Sequence, residues 1–281
     1  MKVLVTGATG AVGRCVVNQL VERGVDVRAL TRNPQSAALP AGVEVVRGDL
    51  ADPSSLSAAF VGVDRMFLFP VEDAVEEVVD QAKRAGVRRV AVLSAAAVTI
   101  GLIEEPVEKA VERAGLEWTH VRPGEFMMNR LYLWADPVRQ KRAVSYPDGD
   151  ELGVPVHEAD IAAVAVTSLL RDGHAGQAYT VTGPEEITVR EQVQAIAQAL
   201  GEPVRFDEVS REEARRLMKQ QGGFAAAHAD FILGFVSYTG PADNADDYSE
   251  LLKPWPTVEQ VTGGPALSFA RWARDHVDDF R

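Results

Sequence analysis

Three observations predict an α/β chain built on a doubly wound parallel sheet. A short apolar run, Val3–Val5, passes straight into glycines spaced G-x-x-G-x-x-G at Gly7, Gly10 and Gly13. An amphipathic stretch, Val16-Val17-x-x-Leu20-Val21, follows and ends at Gly24. Five further short runs, apolar or alternating, recur before Glu125 with helical patterns between most of them. Strand and helix in alternation give parallel strands joined by right-handed crossovers, a Rossmann-like arrangement.

The opening turn carries the chemistry. Strand, glycine turn and helix make an anion site, because unpaired backbone N–H groups and the positive helix end face one point. Gly7 permits the tight turn, Gly10 lets the backbone approach a pyrophosphate, and Gly13 lets the helix pack close to the strand. A bare glycine pattern is a weak signal, but in this strand-turn-helix context it reads as a dinucleotide site.

Val25–Leu30 alternates and then turns apolar, as a second strand should, and exits through Thr31-Arg32-Asn33-Pro34. NAD-selective sites hold the ribose 2′-hydroxyl with an acid about 20 positions past the glycines. No acid stands at Leu30, Thr31 or Arg32, and Arg32 itself lies about 19 residues beyond Gly13. A guanidinium there suits a 2′-phosphate, which a carboxylate would repel, so NADP(H) is favoured and NAD(H) is the alternative. An ordinary surface arginine is the alternative to that role.

Val43–Leu50 is the third strand and its exit, where Asp49 is placed either to accept from an adenine amino group or to cap the helix near Pro53; Asp52 is better placed for capping. Arg65–Pro70 is a fourth, almost wholly apolar strand, Arg89–Ser94 a fifth and Trp118–Pro123 a sixth. Helices are expected at Asp73–Ala85 and near Glu104–Ala114. Ligands belong at the carboxyl ends of such strands, which carry Gly7, Arg32, Asp49, Phe69, Ser94 and Pro123.

Composition bounds the alternatives. At 281 residues, 46% hydrophobic and 25% charged, the chain can bury a large core in one or two domains. A formal charge of −12 makes nucleic acid a poor partner, and Arg139-Gln-Lys141-Arg142 is too short a basic patch to change that. No apolar run reaches the roughly 20 residues that span a bilayer, and the start reads as a strand instead of a signal peptide, so the cytoplasm is the expected compartment. The single cysteine, Cys15, excludes an internal disulfide; it reads as a small buried hydrophobe, with a reactive thiol as the alternative.

Several motifs together resemble the NmrA-like group of atypical short-chain dehydrogenases, of the NAD(P)H:quinone oxidoreductase type. The carriers are Thr-Gly-Ala-Thr-Gly-x-x-Gly at Thr6–Gly13, Arg32, Gly48-Asp49-Leu50, Arg122-Pro123-Gly124-x-Phe126-Met127-x-Asn129, Val156-His157-x-x-Asp160, Thr182-Gly183-Pro184-Glu185 and Phe269-x-x-Trp272. The resemblance spans nearly the whole chain. It implies that Gly7, Thr9, Gly10, Ala11 and Val12 wrap the pyrophosphate, and that Arg32 meets the 2′-phosphate. It further implies that Asp49 and Leu50 meet the adenine, Phe69 and Pro70 the nicotinamide ribose, and Pro123, Gly124 and Phe126 the nicotinamide edge.

The main short-chain dehydrogenases use a serine and a Tyr-x-x-x-Lys pair, in which the lysine lowers the tyrosine pKa for proton transfer. Ser94 sits where that serine would be, but no tyrosine precedes Tyr132. Some NmrA-like reductases use a lysine on the following helix. Lys109 is the nearest candidate, one turn from the expected position near Pro106, and a solvated lysine is the alternative. Alcohol oxidation, which needs a base, is therefore disfavoured. Hydride delivery to an already electrophilic ring needs mainly positioning and exclusion of water. The expected activity is NAD(P)H-dependent reduction of a small hydrophobic, quinone-like or aromatic carbonyl compound. A non-catalytic NADP redox sensor that binds a protein partner is the first alternative, and an isomerase or reductase that recycles its bound cofactor the second.

No metal site is expected: His157-Glu158-x-Asp160 reads as the start of a helix over Glu158–Leu170, with His157 a candidate for the substrate cleft, and His120 as a core histidine. The division expected is a dinucleotide-binding domain over 1–128 and a smaller, interwoven substrate-side region over 129–281, with a strand near 177–182 returning to the main sheet. In that region, Met127-Met128 and Leu131–Trp134 suit either core packing or the floor of an aromatic pocket. Helices are expected at Thr188–Leu200, Arg211–Gln221 and Phe224–Tyr238, the last as packing or a lid, and an amphipathic end at Leu267–Phe280 docks on the body. Monomer and homodimer stay open.

Overall fold

A computed structural model describes residues 1–241 and 247–281. The chain divides into two compact bodies and passes between them repeatedly. It starts in the first body with β1 (Lys2–Val5), α1 (Ala11–Glu22), β2 (Asp26–Thr31), β3 (Glu44–Arg47), α2 (Ser57–Phe60), β4 (Arg65–Leu68) and α3 (Val75–Arg84). β5 (Arg89–Leu93), α4 (Ala96–Thr99), α5 (Pro106–Ala114) and β6 (Glu117–Pro123) complete that passage. The second body takes α6 (Met128–Lys141), β7 (Ala143–Tyr146) and β8 (Leu152–Gly153), and the first takes α7 (Glu158–Leu170) and β9 (Gln177–Val181). β10 (Ile187–Thr188), α8 (Val189–Leu200), β11 (Arg205–Glu208), α9 (Arg211–Gln221), α10 (Gly223–Ile232), β12 (Val236–Ser237) and β13 (Gly240–Pro241) belong to the second body. α11 (Thr257–Thr262) returns to the first and α12 (Phe269–Asp275) ends in the second.

The first body is a seven-stranded sheet in the order β3-β2-β1-β4-β5-β6-β9, parallel throughout. Strand side chains alternate between faces. Leu4, Met66, Leu68, Val90 and Val92 join Phe60, Val78, Val79, Val107 and Val111 of α2, α3 and α5 in one core. The alternate residues Val3, Val5, Phe67 and Ala91 are equally buried on the other face, where α1 packs on α7 and α7 lies along β4, β5 and β6. Helices on both faces explain why the strands read as nearly continuous apolar runs.

Two contacts inside this body decide its local geometry. At Gly13 a Cβ would stand 2.1 Å from the Gly7 carbonyl oxygen, so only glycine lets α1 start this close to the exit of β1. On the opposite face α5 is clamped to β6 through Glu108, which is 4% exposed. Arg122 donates from Nε and Nη2 to the two Glu108 oxygens at 2.9 and 2.6 Å. Burial is the largest single influence and pushes the Glu108 carboxyl up, but the hydrogen bonds and charge of Arg122, together with its other polar neighbours, outweigh it and hold the group below the usual carboxylate value. Cys15 is half-buried, and burial pushes its thiol up to about 12, which favours the small-hydrophobe reading over a reactive thiol.

The second body has its own core, built from Leu133, Trp134 and Val138 of α6, Val193 and Ile196 of α8, and Phe269, Trp272 and Phe280 near the chain's end. β7 and β11 form a parallel pair within it. α6 was hidden in the sequence by Pro137, yet it runs 14 residues, and Arg142 closes it with φ 48°. The stretch expected as one helix over Phe224–Tyr238 instead stops at Ile232, because Gly234 at φ 67° turns the chain into the β12–β13 hairpin. The bodies divide at Pro123/Gly124, not at residue 128, and α7 and α11 go with the sheet. α7 joins it because nearly every side of it is apolar and needs cover: Ile161, Ala162, Val164, Ala165, Val166 and Leu169 are each 0% exposed.

Gly13→Ala is expected to cost about 1–3 kcal/mol by overpacking, read as a lower denaturant midpoint with unchanged slope. Glu108→Gln leaves the Arg122 charge half-buried and unpaired, and should cost about 3 kcal/mol. Because the folded pKa is depressed, the Glu108 contribution is complete above the unfolded value of about 4.3 and is lost as pH falls through the folded one. Unfolding curves of wild type and Glu108→Gln should therefore converge as pH falls from the unfolded carboxyl value down through the depressed folded one.

Candidate functional site

The parallel order reverses between β1 and β4, since β2 and β3 lie on one side of β1 and β4, β5, β6 and β9 on the other. The carboxyl ends of β1 to β4 meet at this switch point, where open α/β sheets take their ligands. Thr6 joins two of the exits: its buried hydroxyl donates to the Phe67 carbonyl at 3.0 Å and accepts from the Phe69 amide at 2.7 Å. This lays the Phe69 ring against Gly7, where any Cβ would be 3.0 Å from the ring's Cδ2. Gly7 also has φ 60°, so both conformation and space demand glycine there.

A cavity of about 300 Å³ opens at this point. The first turn contributes Gly7, Thr9 and Gly10, the exit of β2 Thr31 and Arg32, the exit of β3 Asp49 and Leu50, and the exit of β4 Phe69. α1 begins here with Gly10 as its N-cap, no capping side chain and no acidic residue in its first turn, so its positive end is open. Ala11, Val12 and Gly13 form that first turn. Arg32 is exposed and, among the described residues, has neither an ion pair nor a hydrogen bond. Asp49 Oδ1 accepts from the Ala51 amide at 3.1 Å and closes its own turn, while Asp52 caps the following short helix through Ser54. Phe69 is 42% exposed, unusual for so large an apolar ring.

Other sequence candidates lie elsewhere. Pro70, Ser94 and Pro123 belong to the same body but do not line this cavity. Ser94 follows β5; its amide donates to the Val121 carbonyl at 2.8 Å, and its hydroxyl oxygen is closed to solvent beside the Glu108 carboxylate. Lys109 points outward, half-exposed, in an ion pair with Glu104 at 2.5 Å. Gly124 and Phe126 belong to the second body, where Phe126 bridges Val156 and the Val156 amide donates to the Glu125 carbonyl at 2.7 Å.

His120 and His157 are both buried within their own bodies. His120 is 0% exposed, stacks on Trp118 at 4.2 Å and places Nε2 3.0 Å from Glu112. Burial pulls its pKa down, against the opposing pull of the Glu108 and Glu112 carboxylates. With Glu108 and Glu112 it forms the group among the described residues whose donor atoms come within metal-ligating range, but Glu108 is already held by Arg122. His157, expected as a cleft residue, is instead buried at 4% exposure with Nε2 3.5 Å from Asp275, because the chain end packs over it within the second body. Leu133 and Trp134 line a cavity of about 590 Å³ in that body, shared with Tyr146 and Met218. Trp134 is only 3% exposed, so it serves as core and as cavity wall. Val71 was not singled out by the sequence, and Thr6, Leu30, Thr31 and Gly48 stood there only as parts of motifs with no role of their own; the tight approach of the strand exits gives them one.

Comparison with known proteins agrees with this geometry. The profile of the NAD(P)H-binding family matches residues 7–172. The chain is 38% identical to a (4-alkanoyl-5-oxo-2,5-dihydrofuran-3-yl)methyl phosphate reductase of Streptomyces griseus, over 99% of each chain. It is 35% identical to an NAD(P)H azoreductase of Xenophilus azovorans, again over 99% of each. Its fold superposes on the triphenylmethane reductase of Citrobacter sp., solved with NADP(H), with a TM-score of 0.77 at 23% identity, covering 99% of this chain and 100% of that one. An NADPH-dependent quinone oxidoreductase from Escherichia coli gives 0.76 at 24%, over 98% and 99%. By the reach of the profile and by two end-to-end relatives, the chain belongs to the NAD(P)H-binding family, in keeping with the NmrA-like resemblance its motifs carry.

Proposed function

We propose that the chain is an NAD(P)H-dependent oxidoreductase that reduces a small, electrophilic, conjugated or aromatic compound, quinone-like or carbonyl-bearing, with NADP(H) preferred over NAD(H). What carries the reading is the switch-point cavity, bounded by the glycine turn and by an arginine that has no ion pair or hydrogen bond among the described residues, in a chain aligned end to end with two reductases.

The residues fit the cofactor. Gly7 and Gly13 are positions a side chain would close, and Gly10, where a Cβ would meet the Gly7 carbonyl oxygen at 3.4 Å, keeps the wall low. The amides of Ala11, Val12 and Gly13, on the open end of α1, would receive the pyrophosphate. Thr9 would add a hydroxyl and Arg32 a fork of donors for a 2′-phosphate. Asp49 and Leu50 would meet the adenine, and Phe69 with Pro70 the nicotinamide ribose; Pro123, Gly124 and Phe126 are assigned to the nicotinamide edge by family resemblance. NAD(P)H, when bound, supplies the hydride.

Proton supply is the weak side of the chain. No tyrosine lies before Tyr132, the Ser94 hydroxyl is closed to solvent, and Lys109 is turned outward to Glu104. Protein groups then contribute binding, orientation and exclusion of water, which suffices for an acceptor that is already electrophilic. Both end-to-end relatives are named for such acceptors, an acyl-substituted dihydrofuranone and an azo compound. The same missing donor favours a second reading, a redox sensor that binds NADP(H) without turnover. A cytoplasmic location and a monomeric or homodimeric state complete the proposal.

Steady NADPH oxidation with a panel of quinones and azo compounds is expected; saturable NADPH binding without oxidation of any member would select the sensor. Lys109→Ala should leave that turnover within about twofold, as befits an exposed ion pair. Arg32→Ala should weaken NADPH by about 10- to 100-fold, the worth of charged hydrogen bonds, and leave NADH nearly unchanged. Equal losses for the two cofactors in a binding titration would sink the 2′-phosphate assignment.

A further inference from the structure

Arg32 sits on a turn whose internal support is thin. The Asn33 amide reaches Thr31 Oγ1 at 3.2 Å, and the Ser36 and Ala37 amides reach the carbonyls of Asn33 and Pro34 at 3.3 Å each. The turn then passes through Ala38 at φ 45°, a left-handed conformation disfavoured for any residue with a Cβ. The short bonds that hold it come from outside. Arg14, on the first helical turn after the glycines, donates from Nη1 to the Ala38 carbonyl at 2.7 Å and from Nη2 to the Ala37 carbonyl at 3.1 Å. One guanidinium thus grips both carbonyls flanking the left-handed step, and its backbone is fixed by the same α1 start that Gly13 sets.

We infer that Arg14 is a positioning residue for cofactor choice: it fixes the turn that presents Arg32, and so sets the preference for the 2′-phosphate without contacting it. This rests on the assignment of Arg32 made above. The two arginines have different duties because their donors are differently engaged. Arg14 is committed to two backbone carbonyls, whereas Arg32 has none among the described residues and lines the cavity. Losing Arg14 would let Ala38 relax out of its left-handed state and spread the Arg32 guanidinium over many positions. The penalty would fall on the ligand that needs Arg32, and on that ligand alone.

The test is equilibrium titration of the full chain with NADPH and with NADH, in wild type, Arg14→Met, Arg32→Ala and the double variant, with thermal midpoints recorded beside them. Arg14→Met should weaken NADPH by about 3- to 10-fold and leave NADH within about twofold, and should cause no further loss once Arg32 is alanine. Arg14→Lys, able to reach one carbonyl, should lose less. A second, undiminished loss of NADPH in the Arg32→Ala background would mean that Arg14 acts through its own charge, and overturns the inference. Equal loss of NADPH and NADH on Arg14→Met overturns it too, since the turn would then be general scaffolding. If Arg32→Ala is selective for NADPH but Arg14→Met is silent, only the Arg14 role falls; if Arg32→Ala is itself unselective, both fall.

Discussion

Everything at the switch point depends on the closeness of α1 to the exit of β1. The gap between Gly13 and the Gly7 carbonyl admits no methyl group. That gap brings the first helical turn over the end of the strand, and with it the positive end of α1 into the cavity. It also fixes the starting direction of α1, so that Gln19 can bond the Ala159 carbonyl at 2.8 Å and the helix can pack along α7. A requirement for two missing side chains therefore orders a helix pair, one face of the sheet and the anion-receiving turn together. Little stability comes from the glycines themselves, which cost more conformational entropy than other residues; what they give is access for everything else.

The sheet was legible because burial on both faces writes itself into sequence as apolar runs at short intervals, and β1 to β6 lie within a few residues of where those runs predict them. The cavity wall was partly legible for a related reason. Strand exits are marked by abrupt changes from apolar to polar, and Gly7, Arg32, Asp49 and Phe69, each at such a change, do share one cavity. The tying role of Thr6 was not legible, because a threonine at the end of a buried strand looks the same whether or not its hydroxyl joins two strands together.

The second body was harder to read. Pro137 within α6 breaks the usual helix signal, and the β7–β11 pair joins segments some sixty residues apart, which no local pattern records. α7 shows the opposite failure: it was found as a helix but placed in the wrong region, because an all-apolar surface tells that a helix is buried and not what buries it. Gly234 is the smallest case, a single left-handed glycine that ends a helix whose apolar pattern runs on for four more residues, to Tyr238.

The shielding of Cys15 has a consequence for the chemistry proposed. Quinones and acyl-activated alkenes are also alkylating agents, and their preferred target in a protein is a thiolate. With its thiol pushed up to about 12, Cys15 is almost wholly protonated at neutral pH and a poor nucleophile. It is the only sulfhydryl in 281 residues. A chain that meets such compounds in every catalytic cycle would thus hold its single thiol in the form they attack least.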